Sequence, residues 1–262
     1  MNKITVLIFA KNETITFKRV LEHASNPKFC DQLLVVLDEG FLPEIKDLAQ
    51  EFQADIVIKK LQNFRDHKNF GIAQAKNNWV LLLDADEIVD GQLTDALEKF
   101  RQNDKVLDFG YNIKFKTYFF NHWLRYGGTY PDLHIRLFDK RKAKYRHTIH
   151  ELLFVDGKIG EIDGHIEHYS VTYFSQWLKK IPLYTDLEAN FLIKKGRQFS
   201  LTYLIGKPLK EFFWRFVQLK GYRDGFHGLR FALMASYYRF RTALKIKKLD
   251  SRCRNASLPA RE

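Results

Sequence analysis

Four short apolar runs set the rhythm of the first third of the chain: ITVLIFA (4–10), QLLVVLD (32–38), ADIVIK (54–59) and WVLLLD (79–84). Runs of this length with little polar interruption predict strands covered on both faces. The segments between them follow a longer apolar period. NETITFKRVLEHA places Ile15, Val20 and Leu21 near helical spacing, with Asn12 in position to cap the helix. PEIKDLAQEF reads as a helix opened by Pro43, and FGIAQAKN as a short helix leading into the fourth strand. Strand and helix in alternation predict an α/β fold with a doubly wound, mostly parallel sheet.

In such a sheet, ligands sit beyond the carboxyl ends of the strands, where loops converge and helix N-termini offer free N–H groups. The polar residues of this region gather at those ends. Asp38 closes the second strand, the loop Lys11-Asn12-Glu13 closes the first, and the fourth runs straight into Asp84, Asp86 and Glu87. An Asp-x-Asp can offer two oxygens to one hard divalent cation and leave the cation open to phosphate oxygens, as at a nucleotide-diphosphate site. The competing reading makes these acids solvated turn formers and a cap for the helix that GQLTDALEKF predicts. Their position at the end of a buried strand favours the ligand site.

Composition narrows the class. The 262 residues, 45% of them hydrophobic, are enough for one large domain, or for one domain and a smaller appendage. A formal net charge of +12 suits a polyanionic partner: nucleic acid, an anionic membrane surface or a phosphorylated substrate. Cys30 and Cys253 lie far apart and suggest neither a disulfide framework nor a cysteine metal site, which fits a reducing compartment. The apolar opening Ile4 to Ala10 is too short for a secretory signal, and no apolar run reaches the roughly 18 to 20 residues of a bilayer span. These features fit the cytoplasm, with contact to a membrane left open.

The succession ITVLIFAKNE, LLVVLDEG and KNFGIAQAKNNWVLLLDADE resembles the GT-A domain of glycosyltransferase family 2. With GGTYPDLHIRLFDKRKAKYRHTIHELL and IEHYS, it is similar to the subgroup of small enzymes that add a sugar, typically glucose, to the lipopolysaccharide inner core. The resemblance spans most of the chain. It implies a UDP-sugar donor, a lipid-anchored saccharide acceptor and a Mg²⁺ or Mn²⁺ ion. It also implies roles for residues. Ala10, Asn12 and Glu13 match the loop that holds base and ribose, and Asp38 the acid that binds uracil, although Glu39, Gly40 and Phe41 replace the small or hydroxyl residues usual after it. Lys68 and Asn69 match a nucleotide-contacting pair ahead of the short helix, with Arg65 near the phosphates. Asp84 falls on the ribose or the metal, Asp86 on the metal, and His168 on a third metal position.

An inverting sugar transfer needs one carboxylate to take the acceptor proton, and a metal-bound diphosphate leaves without a second acid. Glu151 in HTIHELL is the first candidate base, matching the family's His-Glu pair with His150, and Asp132 in YPDLHIRLF is the second. Arg136 sits between Ile135 and Leu137, which on a regular strand would both point to the opposite face and leave Arg136 toward the site. The aromatic stretch TYFFNHWLRYGGTYPD, with Gly127 and Gly128, suits an acceptor loop or lid, or a packed core.

The expected organisation is a GT-A catalytic domain over residues 1–170, with a nucleotide-sugar half to about 90 and an acceptor half beyond it. A basic amphipathic helical region follows over 171–250, broken at Pro208 and around Gly221 to Gly228, and then a tail over 251–262. Helices in which Phe, Trp, Tyr and Leu alternate with Lys and Arg suit a peripheral membrane contact, or packing on the catalytic core. Two other classes share some of these features. A nucleotidyltransferase would share the Asp-x-Asp but would normally carry a glycine-rich basic loop after the first strand, and FAKNETIT has no glycine. A non-enzymatic binder of nucleic acid would share the basic charge, but no nucleic-acid module is recognisable and no nucleic-acid partner is expected.

Overall fold

A computed structural model describes residues 1–103, 105–146 and 152–256. The chain divides into two compact units, a sheet unit of residues 1–116 and 131–169 and a helical unit of residues 117–130 and 170–262.

The sheet unit begins as the apolar pattern predicts. β1 (Ile4–Ala10), α1 (Thr14–Ala24), β2 (Gln32–Leu37), α2 (Pro43–Glu51), β3 (Asp55–Ile58), α3 (Phe64–Gln74) and β4 (Trp79–Asp84) alternate, and β3, β2, β1 and β4 pair in parallel in that order. The later strands are β5 (Glu87–Val89), β6 (Gly110–Phe119), β7 (His122–Trp123), β8 (Asp132–Asp139), β9 (Ala143–Arg146), β10 (Leu152–Val155) and β11 (Ile159–Val171), with α4 (Gly91–Gln102) between β5 and β6. β8, β6, β11 and β5 continue the sheet in the order β3-β2-β1-β4-β8-β6-β11-β5, β7 pairs with β6, and β9 and β10 form a separate antiparallel pair; β8 runs antiparallel to β4, and β5 antiparallel to β11.

Both faces of β1, β2 and β4 are buried, and this is why these strands read as unbroken apolar runs, while β3 at the edge is half-buried. Ile4, Val6 and Ile8 pack with Phe17, Val20 and Leu21 of α1, Ile45 and Ala49 of α2, and Leu93 and Leu97 of α4. Leu7, Leu34, Val80 and Leu82 point the other way and pack with Ile72 of α3 and with Tyr145 and Val155 of the β9–β10 hairpin. Gly71 makes the second layer possible, because a Cβ there would stand 2.7 Å from the Phe9 ring.

Three local expectations are corrected. The cap of α1 is Glu13, not Asn12. The helix before β4 is longer than FGIAQAKN: it starts at Phe64, where the Asn63 side chain accepts the Asp66 N–H at 2.8 Å, and so Lys68 and Asn69 lie inside it. Ile135 and Leu137 do not share a face. A bulge in β8 pairs Tyr111 with Leu137 and the next residue, Asn112, with Ile135, leaving Arg136 as the extra residue; Leu137 packs in the first layer and Ile135 in the second.

The helical unit holds α5 (Phe174–Lys194), α6 (Leu201–Phe213), a wide turn over Trp214–Gln218, a tight turn over Gly221–Asp224 and α7 (Gly225–Ala256). Pro208 does not break the chain but lies buried within α6; the expected interruption at Gly221 is present. Residues 117–130, expected in the acceptor half, group with these helices: Phe119, Phe120 and Leu124 pack with Val171, Trp177, Phe231 and Met234. Gly127 and Gly128 adopt φ of +73° and +81°, and their loop is anchored, with Arg215 Nη1 donating to the Gly127 carbonyl at 2.9 Å and the Gly127 N–H to the Leu219 carbonyl at 2.9 Å. No helix among the described residues is long and apolar enough to cross a membrane.

Candidate active site

Parallel pairing brings the candidate residues of the first four strands to one edge. Ala10 is level with Leu37, Phe9 with Asp84, and Leu37 with Ile58, so Ala10, Asp38 and Asp84 all end at the carboxyl side of the sheet. A turn through Ala85 and Asp86 then leads into β5, where Glu87 stands opposite His168 of β11. The Thr16 hydroxyl donates to the Ala85 carbonyl at 2.9 Å and ties this turn to α1.

The centre of the turn is a buried cluster that links Asp84, Glu87 and Arg136. Glu87 is only 1% exposed; its Oε2 accepts the Asp84 N–H at 3.0 Å, and its Oε1 accepts Arg136 Nη2. The same guanidinium nitrogen lies 3.3 Å from Asp84 Oδ2. Buried charges persist only when paired and hydrogen-bonded, and here the buried Glu87 and Arg136 pair with each other and with the more open Asp84. Burial pushes the Glu87 carboxyl up, against the pull of Arg136 and with the added repulsion of Asp84. Burial also opposes the charge on Asp84, but Arg136, Lys68 and His168 outweigh it and hold that carboxyl below its ordinary value. The Asp84 and Asp86 side chains stay partly open to solvent. His168 Nε2 lies 3.6 Å from Asp86 Oδ2; burial lowers the imidazole, but Asp86, with Glu87 and Asp84 behind it, raises it further, so the net shift is upward.

The β8 bulge explains how Arg136 reaches this cluster. Its guanidinium lies over the Phe115 ring at 5.2 Å, and that ring also meets His134 edge-on at 4.8 Å and His168 at 6.1 Å. Asp132, the second candidate base, is exposed on the same strand. His134 Nε2 stands 3.0 Å from its carboxylate, and this bond is the main reason that the Asp132 carboxyl lies below its ordinary value. Glu151 and His150 lie outside the described residues.

Around the first strand, the Glu13 carboxylate accepts the N–H groups of Lys11 at 2.9 Å and Asn12 at 2.8 Å, curling the loop back on itself. Asp38 is buried, accepts the Leu61 N–H at 2.8 Å and pairs with Lys11; burial works against its charge, yet Lys11 and Leu61 bring the net shift below the ordinary carboxylate value. On α3, Arg65 is paired with Asp66 at 2.7 Å, and Lys68 lies over the Tyr145 ring at 5.0 Å. The Asn69 amide meets the backbone of β9. It donates to the Tyr145 carbonyl at 3.0 Å and accepts the Tyr145 N–H at 2.9 Å, so it docks β9 onto α3.

A family model described as glycosyl transferase family 2 matches residues 5–159. The chain belongs to that family. The matched span contains every candidate residue named above except His168. The transferase is 28% identical to an uncharacterized glycosyltransferase of Rickettsia typhi and 27% identical to one of Rickettsia prowazekii, each alignment covering 97% of this chain and 90% of the relative. Among solved structures, glucosyl-3-phosphoglycerate synthase of Mycobacterium tuberculosis, crystallised with Mn²⁺, UDP and glucosyl-3-phosphoglycerate, is 17% identical and overlaps 44% of each chain at a TM-score of 0.35.

Glu87 and His134 stand at this edge although no motif assigns them a role: Glu87 completes the acidic run, and Asp132, His134 and Arg136 recur at every second position of one strand. That recurrence of polar groups in a segment otherwise apolar was the available signal.

Proposed function

We propose that this transferase moves glucose from UDP-glucose to a heptose of a lipopolysaccharide or lipooligosaccharide core, with inversion at the anomeric carbon. The observation that carries the nucleotide-sugar reading is the Asp84–Asp86 turn, held rigid by the Glu87–Arg136 pair at the carboxyl edge of the sheet. The sugar and the acceptor rest on the resemblance of the motifs between Gly127 and Ser170 to the inner-core enzymes.

Among the described residues no group of three or more His, Cys, Asp or Glu side chains is gathered into a metal-holding cluster. The donor set nonetheless fits a Mg²⁺ or Mn²⁺ shared with a substrate, which needs only one or two carboxylates from the protein and takes the rest from phosphate and water. Asp86 and Asp84 would hold it, and His168 would join them after losing its proton. When bound, the ion neutralises charge on the leaving diphosphate. The protein's own part is to place the two ends of the reaction. The loop from Ala10 to Glu13 and Asp38 would take the nucleoside, and Lys68, Arg65 and Arg136 would bring positive charge to the phosphates, with Asn69 holding their surroundings in place. Glu151, or Asp132 if Glu151 is not the base, accepts the acceptor hydroxyl's proton as its oxygen bonds to the anomeric carbon. The bond from that carbon to the diphosphate breaks, and UDP leaves with the electron pair.

An acceptor anchored in a leaflet and a strongly basic helical unit together support a peripheral contact with the inner face of the cell membrane. The test is calorimetric titration of UDP and of UDP-glucose with and without Mn²⁺ or Mg²⁺, followed by transfer assays on heptose-containing acceptor. Cation-dependent UDP binding, and loss of transfer with donor binding retained in Glu151→Gln, are expected. Cation-independent binding, or a product that keeps the donor's anomeric configuration, would overturn the reading.

A further inference from the structure

α6 is folded with its apolar side outward. Leu201, Ile205, Leu209 and Phe213 recur every fourth residue, and Trp214 and Val217 extend the row; all six are between 41% and 67% exposed. The inner side holds Pro208 and Glu211, both buried. Glu211 takes Arg215 at 2.7 Å and Arg239 of α7 at 3.2 Å, Arg239 also pairs with Glu188 of α5, and the Ser236 hydroxyl donates to the Pro208 carbonyl at 2.9 Å. These ties link all three helices, so α6 cannot roll to hide its apolar row without stranding buried charges. A water-facing helix of a globular protein has the reverse order, and an apolar row of this length marks a surface made to be covered.

Charge identifies the cover. The helical unit carries 20 Lys and Arg against 6 Asp and Glu, a formal +14, whereas the sheet unit carries 23 against 25, a formal −2. All of the chain's positive excess therefore lies in the unit that exposes the row. Lys210 is exposed on α6 itself, and Lys220 after the wide turn that follows it. A second copy of this chain seated on the row would set +14 against +14, while an anionic bilayer surface complements both the charge and the apolar side chains.

We infer that the outer face of α6, from Leu201 to Val217, is the surface by which this protein docks into an anionic lipid interface, the row entering the headgroup boundary and the lysines remaining among the phosphates. The inference deepens the membrane contact proposed above and is independent of which sugar is transferred. It is tested on the full chain by cosedimentation with phosphatidylcholine vesicles, with and without phosphatidylglycerol. Wild type should bind the anionic vesicles, and added salt should weaken binding. The double substitution Ile205→Glu with Leu209→Glu should reduce binding about tenfold or more, with cation-assisted UDP binding and thermal melting unchanged. A second readout does not depend on that variant: anionic vesicles should shift tryptophan emission to the blue, and Trp214→Phe should remove most of the shift while vesicle binding persists. Three results overturn the inference. The double variant binds vesicles like wild type, or the shift survives Trp214→Phe, or wild type stays in the supernatant and sediments as a dimer that the double variant abolishes. Loss of vesicle binding leaves the UDP titration intact, so failure here and failure of the proposed transfer are read separately.

Discussion

The sheet unit and the helical unit place apolar and charged groups in opposite ways. In the sheet unit the apolar residues are inside, on both faces of a parallel sheet, and its key charges meet at the strand ends, where Glu87 and Arg136 are buried and paired beside Asp84. In the helical unit charges tie the helices from within, through Glu188, Glu211, Arg215 and Arg239, and a row of large apolar side chains lies outside. A sheet layered by helices and a hairpin can bury a continuous apolar core on both of its faces. Three helices with a small core of Phe119, Leu124, Val171 and Met234 leave apolar surface exposed. The contrast separates a unit whose charges gather at the strand ends from one that leaves a row of large apolar side chains exposed.

The largest expected effect breaks the two apart. Asp86→Ala should cut sugar transfer more than about a hundredfold, because even the groups that support a metal ligand are worth ten- to a hundredfold. Vesicle binding should not change. Metal-assisted UDP affinity equal to wild type would remove the strand-end acids from the site.

Next in size is the buried pair. Arg136→Ala strands Glu87 and should cost about 3–5 kcal/mol in urea unfolding. Adding Glu87→Gln should recover part of the loss, and a cost no larger than that of an exposed residue would mean that the cluster does not hold the turn.

The helical unit's counterpart is Glu211→Gln, expected to cost about 1–3 kcal/mol near neutral pH. Burial pushes the Glu211 carboxyl up, but Arg215 and Arg239 outweigh it and the folded value is depressed. The carboxylate's contribution is therefore full above the ordinary Glu range and is lost as pH falls through the lower folded value. Thermal melts followed by circular dichroism should show wild type and variant converging between roughly pH 5 and pH 3. Parallel curves would deny Glu211 its role as a tie.

The smallest effect sharpens the reading of α3. Asn69→Ala removes both bonds to the Tyr145 backbone and should lower stability by about 1–2 kcal/mol while leaving UDP affinity unchanged. A large loss of affinity without a stability change would return Asn69 to direct nucleotide contact.

What could be read along the chain followed from local rules. Unbroken apolar runs mark strands that are buried on two sides, so β1 to β4 and their helices were legible, and the acids after Leu37 and Leu83 could be placed at the strand ends because parallel strands share a direction. Helix starts were less legible. Asn12 and Asn63 are equally good caps by residue type, and it is Asn63 that caps a helix, because the Lys11–Glu13 loop is curled by the Glu13 carboxylate. Arg136 meets Asp84 and Glu87, but through a bulge and not through the regular strand that its neighbours predict.

The sequence by itself determined the periodicities, and with them the alternating fold, the edge at which the acids collect and the family. Tertiary structure alone decided which groups meet there. A one-residue bulge in β8 and the antiparallel pairing of β5 with β11 bring Arg136 and His168 to acids about fifty and eighty positions away in the chain, and no local rule encodes such a register. It also decided which side of α6 faces out. An apolar row predicts only that something covers it, and the Glu188–Arg239–Glu211 ties, made between helices, settle that the protein's own core does not.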